Sequence, residues 1–380
     1  MPKVLLFTNT IAPYRLPVFQ ELSQAVSLQV LFAQGQTPDR RWDARLAEYS
    51  FRHTVLPHRT LRLGNATQVT NPGLLARLWH HDFDVAVLGD NRQTALSGLL
   101  IGLVAWARRR PLVLWTGITP GEVSVARSGH GVQRLFSLYR RVLFRCAAAI
   151  VAYGTATRRY LAELGVSEDK VFAGTQVVPV EQLPPPAADR AVLGVANKTV
   201  ILSVNYMVPR KGLDVLIRAF RQVAGPDDVL VLVGSGPEEA YLRRLACGDK
   251  HILFPGYQAG AQKTAWYAAA DLFVFPTLHD PWGLVVNEAM AFGLPIIATE
   301  AAGCALDLVQ DNGLVVPPGN TKALAAALAQ LLADEALRLK MGQRSLDIVS
   351  AYTVGAARDT FMQGIHCALE QSKQRPLCAR

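Results

Sequence analysis

The stretch AWYAAADLFVFPTLHDPWGLVVNEAMAFGLPIIA, residues 265 to 298, decides the fold class. It contains two short apolar runs, Leu272 to Phe275 and Pro295 to Ala298, with a helical segment between them. Short apolar strands that alternate with longer helical segments are typical of a parallel sheet covered by helices. The stretch therefore predicts one strand-helix-strand unit of an α/β domain.

The same alternation runs along the whole chain and predicts two α/β domains. The other predicted strands are Val4 to Thr8, Leu28 to Phe32, Val85 to Leu88, Leu112 to Trp115, Ile150 to Ala152, Thr199 to Val204, Val229 to Val233, Ile252 to Phe254 and Leu314 to Val316. Between the halves, three consecutive prolines at 184 to 186 exclude regular helix or strand and stiffen a connector. We therefore predict a first domain over 1–180 and a second over 187–350.

Composition indicates a folded enzyme in a reducing compartment. The 380 residues exceed the usual length for one hydrophobic core, and half of them are hydrophobic. Five scattered cysteines have no paired spacing, which favours the cytoplasm. The N-terminus lacks a signal-peptide pattern, and the longest nearly apolar stretch, Ala95 to Ala107, is shorter than the roughly 20 residues of a spanning helix. We expect a cytoplasmic protein without a transmembrane segment.

The net charge of +9 predicts an anionic partner, such as nucleotide phosphates or acidic lipids. Residues 132 to 145 predict an amphipathic helix with a basic and an apolar face. The basic face has Arg134, Arg141 and Arg145, and the apolar face has Leu135, Tyr139 and Val142. Such a helix can lie on an anionic membrane, or it can pack on the core with a solvated basic side. No nucleic-acid module signature is present, so nucleic acid is not an expected partner.

The loops after the second-half strands hold the candidate ligand site, because open parallel sheets bind ligands beyond the carboxyl ends of their strands. After the first of these strands, VPRKG places Arg210 and Lys211 at the start of a helix, where free N–H groups and the dipole favour a diphosphate. A solvated surface pair is the alternative. The next loop, GSGP, contains Gly234, which allows close backbone approach.

The segment HDPWGLVVNEAMAFG carries two carboxylates in a D-x7-E spacing. Asp280 closes the loop after a strand, and Glu288 lies in the following helix, so both can accept hydroxyl hydrogen bonds. The amides of Gly283, Leu284 and Val285 would open that helix toward phosphate. The alternative makes Asp280 a helix cap and Glu288 a solvated residue, but Glu288 lies in a mostly apolar helix.

Two features of the first half each allow two interpretations. Tyr14 and Arg15 follow the first strand and either face a substrate or pack at a helix start. Asp82 and Asp84 spell a D-x-D metal motif, but they precede a strand at its amino end, away from the ligand edge. We expect a surface turn there and no metal site.

In these motifs the second half resembles the nucleotide-sugar-binding domain of the family-4 retaining glycosyltransferases. The resemblance rests on VPRKG, VLVGSGP, AWYAAADLFVFPT, HDPWGLVVNEAMAFGLPII and NGLVVPPGNTKALAAAL, in that order. It is looser in the first half, through TNTIAPYRLPVFQEL and LGDNRQTAL. It implies the GT-B fold, in which two Rossmann-like domains face each other across a cleft. It also implies that a last helix, about 351–375, crosses back to the acceptor-binding first domain.

The resemblance also implies roles for individual residues. The catalytic set is Lys211 on the donor diphosphate, Asp280 on the donor-sugar hydroxyls and Glu288 on the ribose. Backbone near Gly256 and Tyr257 meets the base.

This chain departs from the family pattern at both ends of the site. It has Asn205 and Tyr206 where the family has glycine and arginine, so one expected cation is missing and Arg210 is the candidate replacement. The family has a histidine after the fourth strand of the first half. This chain lacks it, and Glu122 is the candidate side chain in that loop. The acceptor-side candidates are Tyr14, Arg15, Asp90 and Glu122.

The expected function is transfer of a sugar from a UDP- or GDP-type donor, with retention and without a metal or other cofactor. The acceptor would be a glycan or lipid-linked glycan of cell-envelope polysaccharide or lipopolysaccharide biosynthesis, reached at the inner membrane face. Two alternatives stay open: a GT-B sugar-nucleotide epimerase, and an inactive nucleotide-binding partner in a glycan-assembly complex.

Overall fold

The computed structural model describes residues 1–35, 46–63, 66–121 and 130–374. The chain forms two compact units. The first consists of residues 1–177 and the C-terminal segment from 354, and the second consists of residues 178–353.

The first unit contains a seven-stranded parallel sheet, covered by helices, and a two-stranded antiparallel ribbon. Its strands are β1 (Lys3–Thr8), β2 (Ser27–Phe32), β3 (Arg52–Val55), β4 (Arg59–Leu63), β5 (Ala66–Thr70), β6 (Val85–Gly89), β7 (Leu112–Thr116), β8 (Ala149–Ala152) and β9 (Val171–Ala173). Its helices are α1 (Leu16–Ala25), α2 (Leu74–His80), α3 (Ala95–Ala107), α4 (His130–Cys146), α5 (Thr155–Glu163) and, at the C-terminal end, α13 (Val354–Gln374).

The second unit contains a six-stranded parallel sheet. Its strands are β10 (Thr199–Val204), β11 (Asp228–Val233), β12 (Ile252–Gly256), β13 (Leu272–Phe275), β14 (Ile296–Thr299) and β15 (Gly313–Val316). Its helices are α6 (Leu213–Val223), α7 (Glu239–Ala246), α8 (Gly260–Ala269), α9 (Leu284–Ala291), α10 (Ala305–Leu308), α11 (Thr321–Ala333) and α12 (Glu335–Val349).

Both large sheets are doubly wound. The strand order is β3-β2-β1-β6-β7-β8-β9 in the first unit and β12-β11-β10-β13-β14-β15 in the second. In each sheet the chain moves outward from a central strand and then returns to that strand's other side, which leaves a crevice at the carboxyl ends where the direction reverses. The predicted α/β class with two Rossmann-like domains is confirmed.

Four strands were missed by sequence reasoning. The edge strand β3 is largely solvent-exposed, β9 has only three residues, and β4 and β5 form an antiparallel ribbon outside the main sheet. None of them has the buried apolar run by which the other strands were found. The predicted strands themselves match the structure to within one or two residues at each end.

The helix α4 exists as predicted, with Tyr139 against the core and Arg141 and Arg145 exposed, but one residue of the predicted apolar face is not buried. Leu143 and Phe144 are buried, whereas Val142, which was expected on the apolar face, is half exposed and lies beside the exposed Arg141. The physical reason is Arg140, whose side chain is drawn inward by a buried ion pair. The side chains of Arg134 and Leu135 lie outside the described residues.

The units are separated before the proline connector rather than at it. Residues 178–186 belong to the second unit, where Ala187 donates its N–H to the carbonyl of Ala261. At the other end, α13 packs on α1, β8 and β9 of the first unit through a buried stripe that includes Phe361 and Ile365. No helix among the described residues combines the length and the apolar character needed to cross a bilayer.

Candidate functional site

The cations predicted for a diphosphate lie at the carboxyl end of β10. Arg210 and Lys211 belong to a one-turn 3-10 helix, Pro209–Lys211, so they precede α6 by a turn instead of starting it. Gly212 makes the transition in the left-handed conformation, at φ 63°. A β-carbon there would lie 2.3 Å from the carbonyl oxygen of Pro276, so the close approach of this turn to the end of β13 requires glycine.

Asp280 lies between these two cations. Its Oδ2 is 2.6 Å from Lys211 Nζ and 3.1 Å from Arg210 Nη1, and its Oδ1 accepts the N–H of Trp282 at 3.0 Å. Burial alone would raise the pKa of this carboxyl, but the charges of Lys211 and Arg210 and the hydrogen bonds hold the pKa well below its usual range. Asp280 is therefore ionised at every physiological pH, and the three groups carry a net charge of about +1.

Backbone contacts fix the Asp280 loop. The N–H of Asp280 donates to the carbonyl of Ala301, and its own carbonyl accepts the N–H of Gly303 at 2.8 Å. The indole of Trp282 donates to Asn287 Oδ1 at 2.9 Å and ties the loop to α9. The carboxylate is not the N-cap of α9, because that position belongs to Gly283.

The helix α9 follows the same loop, and its N-terminus carries amide N–H groups without an acceptor in the described ranges. Gly283 has φ 107°, and a β-carbon there would lie 2.5 Å from the ring of Phe275. The helix begins at Leu284. Within the described ranges, the N–H groups of Gly283, Leu284 and Val285 have no acceptor. These donors and the helix dipole form a positive terminus that suits an anion.

Glu288 lies in the second turn of α9 and is held by two side chains of α8. Lys263 Nζ is 2.7 Å from its Oε1, and the Tyr267 hydroxyl donates to its Oε2 at 2.8 Å. Burial and, secondarily, the charge of Glu288 raise the pKa of Tyr267 well above its usual value, so the phenol remains a donor. Sequence reasoning missed Lys263 and Tyr267. Their i, i+4 spacing was the only available signal.

The predicted base and phosphate loops surround this cluster. Asn205 is buried and donates to Ser203 Oγ at 2.9 Å, while its Oδ1 has no partner in the described part of the chain. A β-carbon on Gly234 would lie 1.8 Å from the carbonyl oxygen of Asn205, so these two loops touch through backbone. Tyr206 and Tyr257 are 44% and 45% exposed. Tyr206, at the position of the missing cation, thus presents a ring to solvent.

Gly256 ends β12 with φ 79° and accepts the N–H of Gly234 at 2.8 Å. The second sheet therefore brings all the predicted donor residues to one edge.

In the first unit, Arg15 reaches across the carboxyl edge of the sheet. Its Nη1 donates to Thr8 Oγ1 at 2.9 Å and to Asn9 Oδ1 at 3.2 Å, and its Nη2 donates to the Tyr153 hydroxyl at 3.1 Å. The guanidinium also lies 4.5 Å from the ring centroid of Trp115. Tyr14 is adjacent, with its ring centroid 5.5 Å from the same guanidinium.

Of the other two predicted acceptor-side residues, Asp90 and Glu122, the structure describes only Asp90. Asp90 is enclosed: its side chain is 1% exposed, pairs with Arg140 Nε at 3.0 Å and accepts the Thr116 hydroxyl at 2.9 Å. Its carboxylate is committed to this internal pair, so the structure gives it a structural role. Glu122 lies outside the described residues.

The D-x-D pair forms ordinary surface contacts. Asp82 pairs with the Lys3 ammonium, and Asp84 accepts the Lys3 N–H at 2.8 Å. Among the residues that the structure describes, no group of three histidine, cysteine or acidic side chains is arranged to hold a metal ion.

Sequence comparisons identify proteins that this chain resembles. Residues 187–347 match the family model described as glycosyl transferases group 1. The lipopolysaccharide core biosynthesis glycosyltransferase LpsE of Rhizobium meliloti is 29% identical over 267 residues, covering 69% of this chain and 74% of that protein. The GDP-mannose-dependent alpha-(1-6)-phosphatidylinositol monomannoside mannosyltransferase of Mycobacterium tuberculosis is 29% identical over 402 residues, covering 96% and 99%.

A solved structure supports the fold. The Anabaena protein Alr3699/HepE, crystallised in complex with UDP, superposes with a TM-score of 0.77 at 20% identity and covers 96% of this chain and 99% of that one. At this identity the likeness concerns the fold.

Proposed function

We propose that this chain is a retaining family-4 glycosyltransferase that transfers a sugar from a UDP- or GDP-type donor to a glycan or lipid-linked glycan, because residues 187–347 match the group 1 glycosyl transferase model and the relatives are named as glycosyltransferases. The observation that carries the proposal lies at the carboxyl edge of the second sheet. There Arg210 and Lys211 contact Asp280, and the loop that holds Asp280 leads directly into the free amides of α9. A diphosphate is the substrate group that such a site suits.

The reaction breaks the bond between the sugar and the diphosphate, so negative charge grows on the departing diphosphate. Lys211, Arg210 and the amides of Gly283 to Val285 are the groups that stabilise this charge. Asp280 holds both cations in place beforehand, which lowers the cost of organising them when the donor arrives. In this proposal the protein's own cations do the work, and no metal or other cofactor takes part.

Glu288 is proposed to hold the ribose. Each of its carboxylate oxygens accepts one bond from α8 and retains acceptor capacity for a hydroxyl. Backbone near Gly256 and the exposed ring of Tyr257 lie at the neighbouring strand end and are proposed to meet the base. Asp280 is proposed to reach the donor-sugar hydroxyls.

The relatives guide the choice of acceptor. One is named for lipopolysaccharide core biosynthesis and another for mannosyl transfer to a phosphatidylinositol mannoside. We therefore assign the protein to cell-envelope polysaccharide or lipopolysaccharide biosynthesis, with the acceptor held by the first unit near Tyr14 and Arg15.

An exposed apolar face with basic neighbours supports peripheral binding to an anionic inner-membrane surface. The helices α3 and α4 adjoin, and each presents large apolar side chains to solvent. They are Leu96, Leu99, Leu103 and Trp106 on α3, and Leu138 and Val142 on α4. Arg141 and Arg145 are exposed on the same helix, which is the chemistry that an acidic lipid surface attracts.

The proposal is tested by incubating the purified chain with UDP- and GDP-sugars, with and without a panel of glycan and lipid-linked acceptors. Donor consumption that depends on the acceptor supports transfer, whereas consumption without acceptor indicates epimerisation. Glu288→Ala is expected to abolish transfer, and Glu239→Gln, on the exposed surface of α7, is the matched control. Normal product formation by Glu288→Ala would remove the assigned site.

A further inference from the structure

The side chain of Arg15 occupies an unusual position. The residue occupies the N-cap position of α1 without a capping hydrogen bond, and its guanidinium turns back over the carboxyl ends of β1 and β8. That edge of a doubly wound sheet is where ligands bind. The residue is half-buried, and its Nε is fully buried.

The hydrogen-bond partners of Arg15 among the described residues are all neutral: the Thr8 hydroxyl, the Asn9 amide oxygen and the Tyr153 hydroxyl. Within the described ranges no carboxylate lies at ion-pair distance from it. Attraction to the ring of Trp115 offsets part of the cost of desolvating the charge but does not neutralise it. Among the described residues nothing neutralises the positive charge at this edge, and an unpaired charge is costly for a group that serves packing alone.

A second arginine of the same unit shows the contrast. Arg140 is also buried, and it is paired with Asp90. The fold therefore supplies a carboxylate to an arginine that it uses for structure. Arg15, which lies at the ligand edge, receives none from the described residues.

The guanidinium N–H groups of Arg15 that have no acceptor among the described residues indicate which chemical class of ligand it can bind. A guanidinium has five N–H groups, and the two on Nη1 are directed at Thr8 and Asn9. One N–H of Nη2 donates to the Tyr153 hydroxyl, and the N–H of Nε has no acceptor among the described residues. Nε and Nη2 share one edge of the planar group, the edge that grips a carboxylate or phosphate with two parallel bonds.

We infer that Arg15 binds an oxyanion, a phosphate or carboxylate group of a substrate, at the carboxyl edge of the first sheet. The place of this site follows from the first unit alone. The source of the anion rests on the proposed function, since either the acceptor or the donor diphosphate can provide it.

The test is calorimetric titration of the full chain with inorganic phosphate at constant ionic strength. Arg15→Met keeps the length of the side chain and removes its charge, and it is expected to weaken phosphate binding about 10- to 100-fold. Arg15→Lys, which has a point charge without the fork, is expected to fall between them. Arg158→Met, an exposed arginine of the same unit paired with Glu168, is the control and should match the wild type.

A second arm identifies the source. Phosphate is titrated into the chain saturated with UDP or GDP, whichever binds. Phosphate binding that persists and still depends on Arg15 assigns the anion to the acceptor. Loss of phosphate binding, together with weaker nucleotide binding by Arg15→Met, assigns it to the donor diphosphate. Equal phosphate and nucleotide affinities in the wild type and Arg15→Met overturn the inference.

Two further outcomes are separable. If the wild type binds neither UDP nor GDP, the proposed function fails while the phosphate titration still decides the role of Arg15. Arg15→Met is expected to unfold at a temperature no lower than the wild type, because it removes an uncompensated charge. Should Arg15→Met not fold, Arg15→Lys decides: phosphate affinity equal to that of the wild type overturns the inference.

Discussion

The two sheets of this protein both have cations at their carboxyl edges, but only the second sheet pairs its cations with a carboxylate among the described residues. In the second unit, Lys211 and Arg210 share the carboxylate of Asp280. In the first unit, Arg15 has only neutral partners and aromatic rings among the described residues. The difference teaches that one site is organised before its anion arrives, whereas the other leaves the charge itself for the anion to neutralise.

The largest expected effect comes from removing Lys211, the cation that lies nearest to the Asp280 carboxylate in the second unit. Lys211→Met should lower the transfer rate about 10²- to 10³-fold, because the charge on the departing diphosphate loses its buried partner. Steady-state transfer assays measure this. Lys198→Met, at the amino end of β10 and paired with Asp227 on the surface, is the control. A tenfold or smaller loss would mean that Arg210 and the α9 amides suffice.

Asp280 provides the next test, because its removal makes the second site resemble the first. Asp280→Asn should lower the free energy of unfolding by about 3 kcal/mol at pH 7, since Lys211 and Arg210 lose a buried counter-charge. Denaturant unfolding measures it. By contrast, Arg15→Met should cause no loss of stability.

The difference in unfolding free energy between the wild type and Asp280→Asn should depend on pH, because the pKa of the Asp280 carboxyl is lowered in the folded protein. The carboxylate binds its proton more weakly when folded, so its contribution is present above the unfolded pKa of about 3.9 and is lost as the pH falls toward the folded value. The gap between wild type and Asp280→Asn should therefore shrink below about pH 4. A gap that widens on acidification would show that Asp280 is not held as an ion.

A smaller effect is expected at Lys263, which acts through Glu288. Lys263→Met should weaken nucleoside diphosphate binding about 5- to 20-fold, because the carboxylate loses one of its two orienting bonds. A 2′-deoxy nucleotide separates this from general damage. If Lys263 positions Glu288 for the ribose, the penalty for lacking the 2′-hydroxyl should be smaller in Lys263→Met than in the wild type. An unchanged penalty would make Lys263 purely structural.

The smallest effect concerns the exposed face of α3 and α4. Trp106→Ser removes the most exposed of its large side chains, at 79%, and should reduce binding to vesicles that contain anionic phospholipid several-fold. Flotation with anionic and with neutral vesicles measures this. Trp79→Ser, at 59% exposure on α2, is the control. Equal binding of both variants to both kinds of vesicle would exclude this face.

The donor loops could be predicted from sequence because each follows a strand with a strong apolar run. Arg210, Lys211, Asp280 and Glu288 were placed by that logic, and the structure brings them to one edge. What the sequence could not show is how they are paired. Asp280 and Lys211 are 69 residues apart, and only the packed sheet shows that the aspartate neutralises the lysine.

The first unit was harder to predict for a physical reason. Asp90 was predicted to face the acceptor, yet it pairs with Arg140, 50 residues away, and the two side chains bury each other. A side chain's charge is visible in a sequence, but its counter-charge is a property of the fold. The absence of one at Arg15 among the described residues was likewise invisible.

The central claim is that the second sheet binds the diphosphate of the donor, and the affinity of that diphosphate tests it most directly. Calorimetry should compare UDP and GDP with uridine and guanosine for the wild type and Lys211→Met. The wild type should bind one of the two diphosphates about 100-fold or more tightly than its nucleoside, and Lys211→Met should lose most of that difference. The same difference in both proteins would contradict the account.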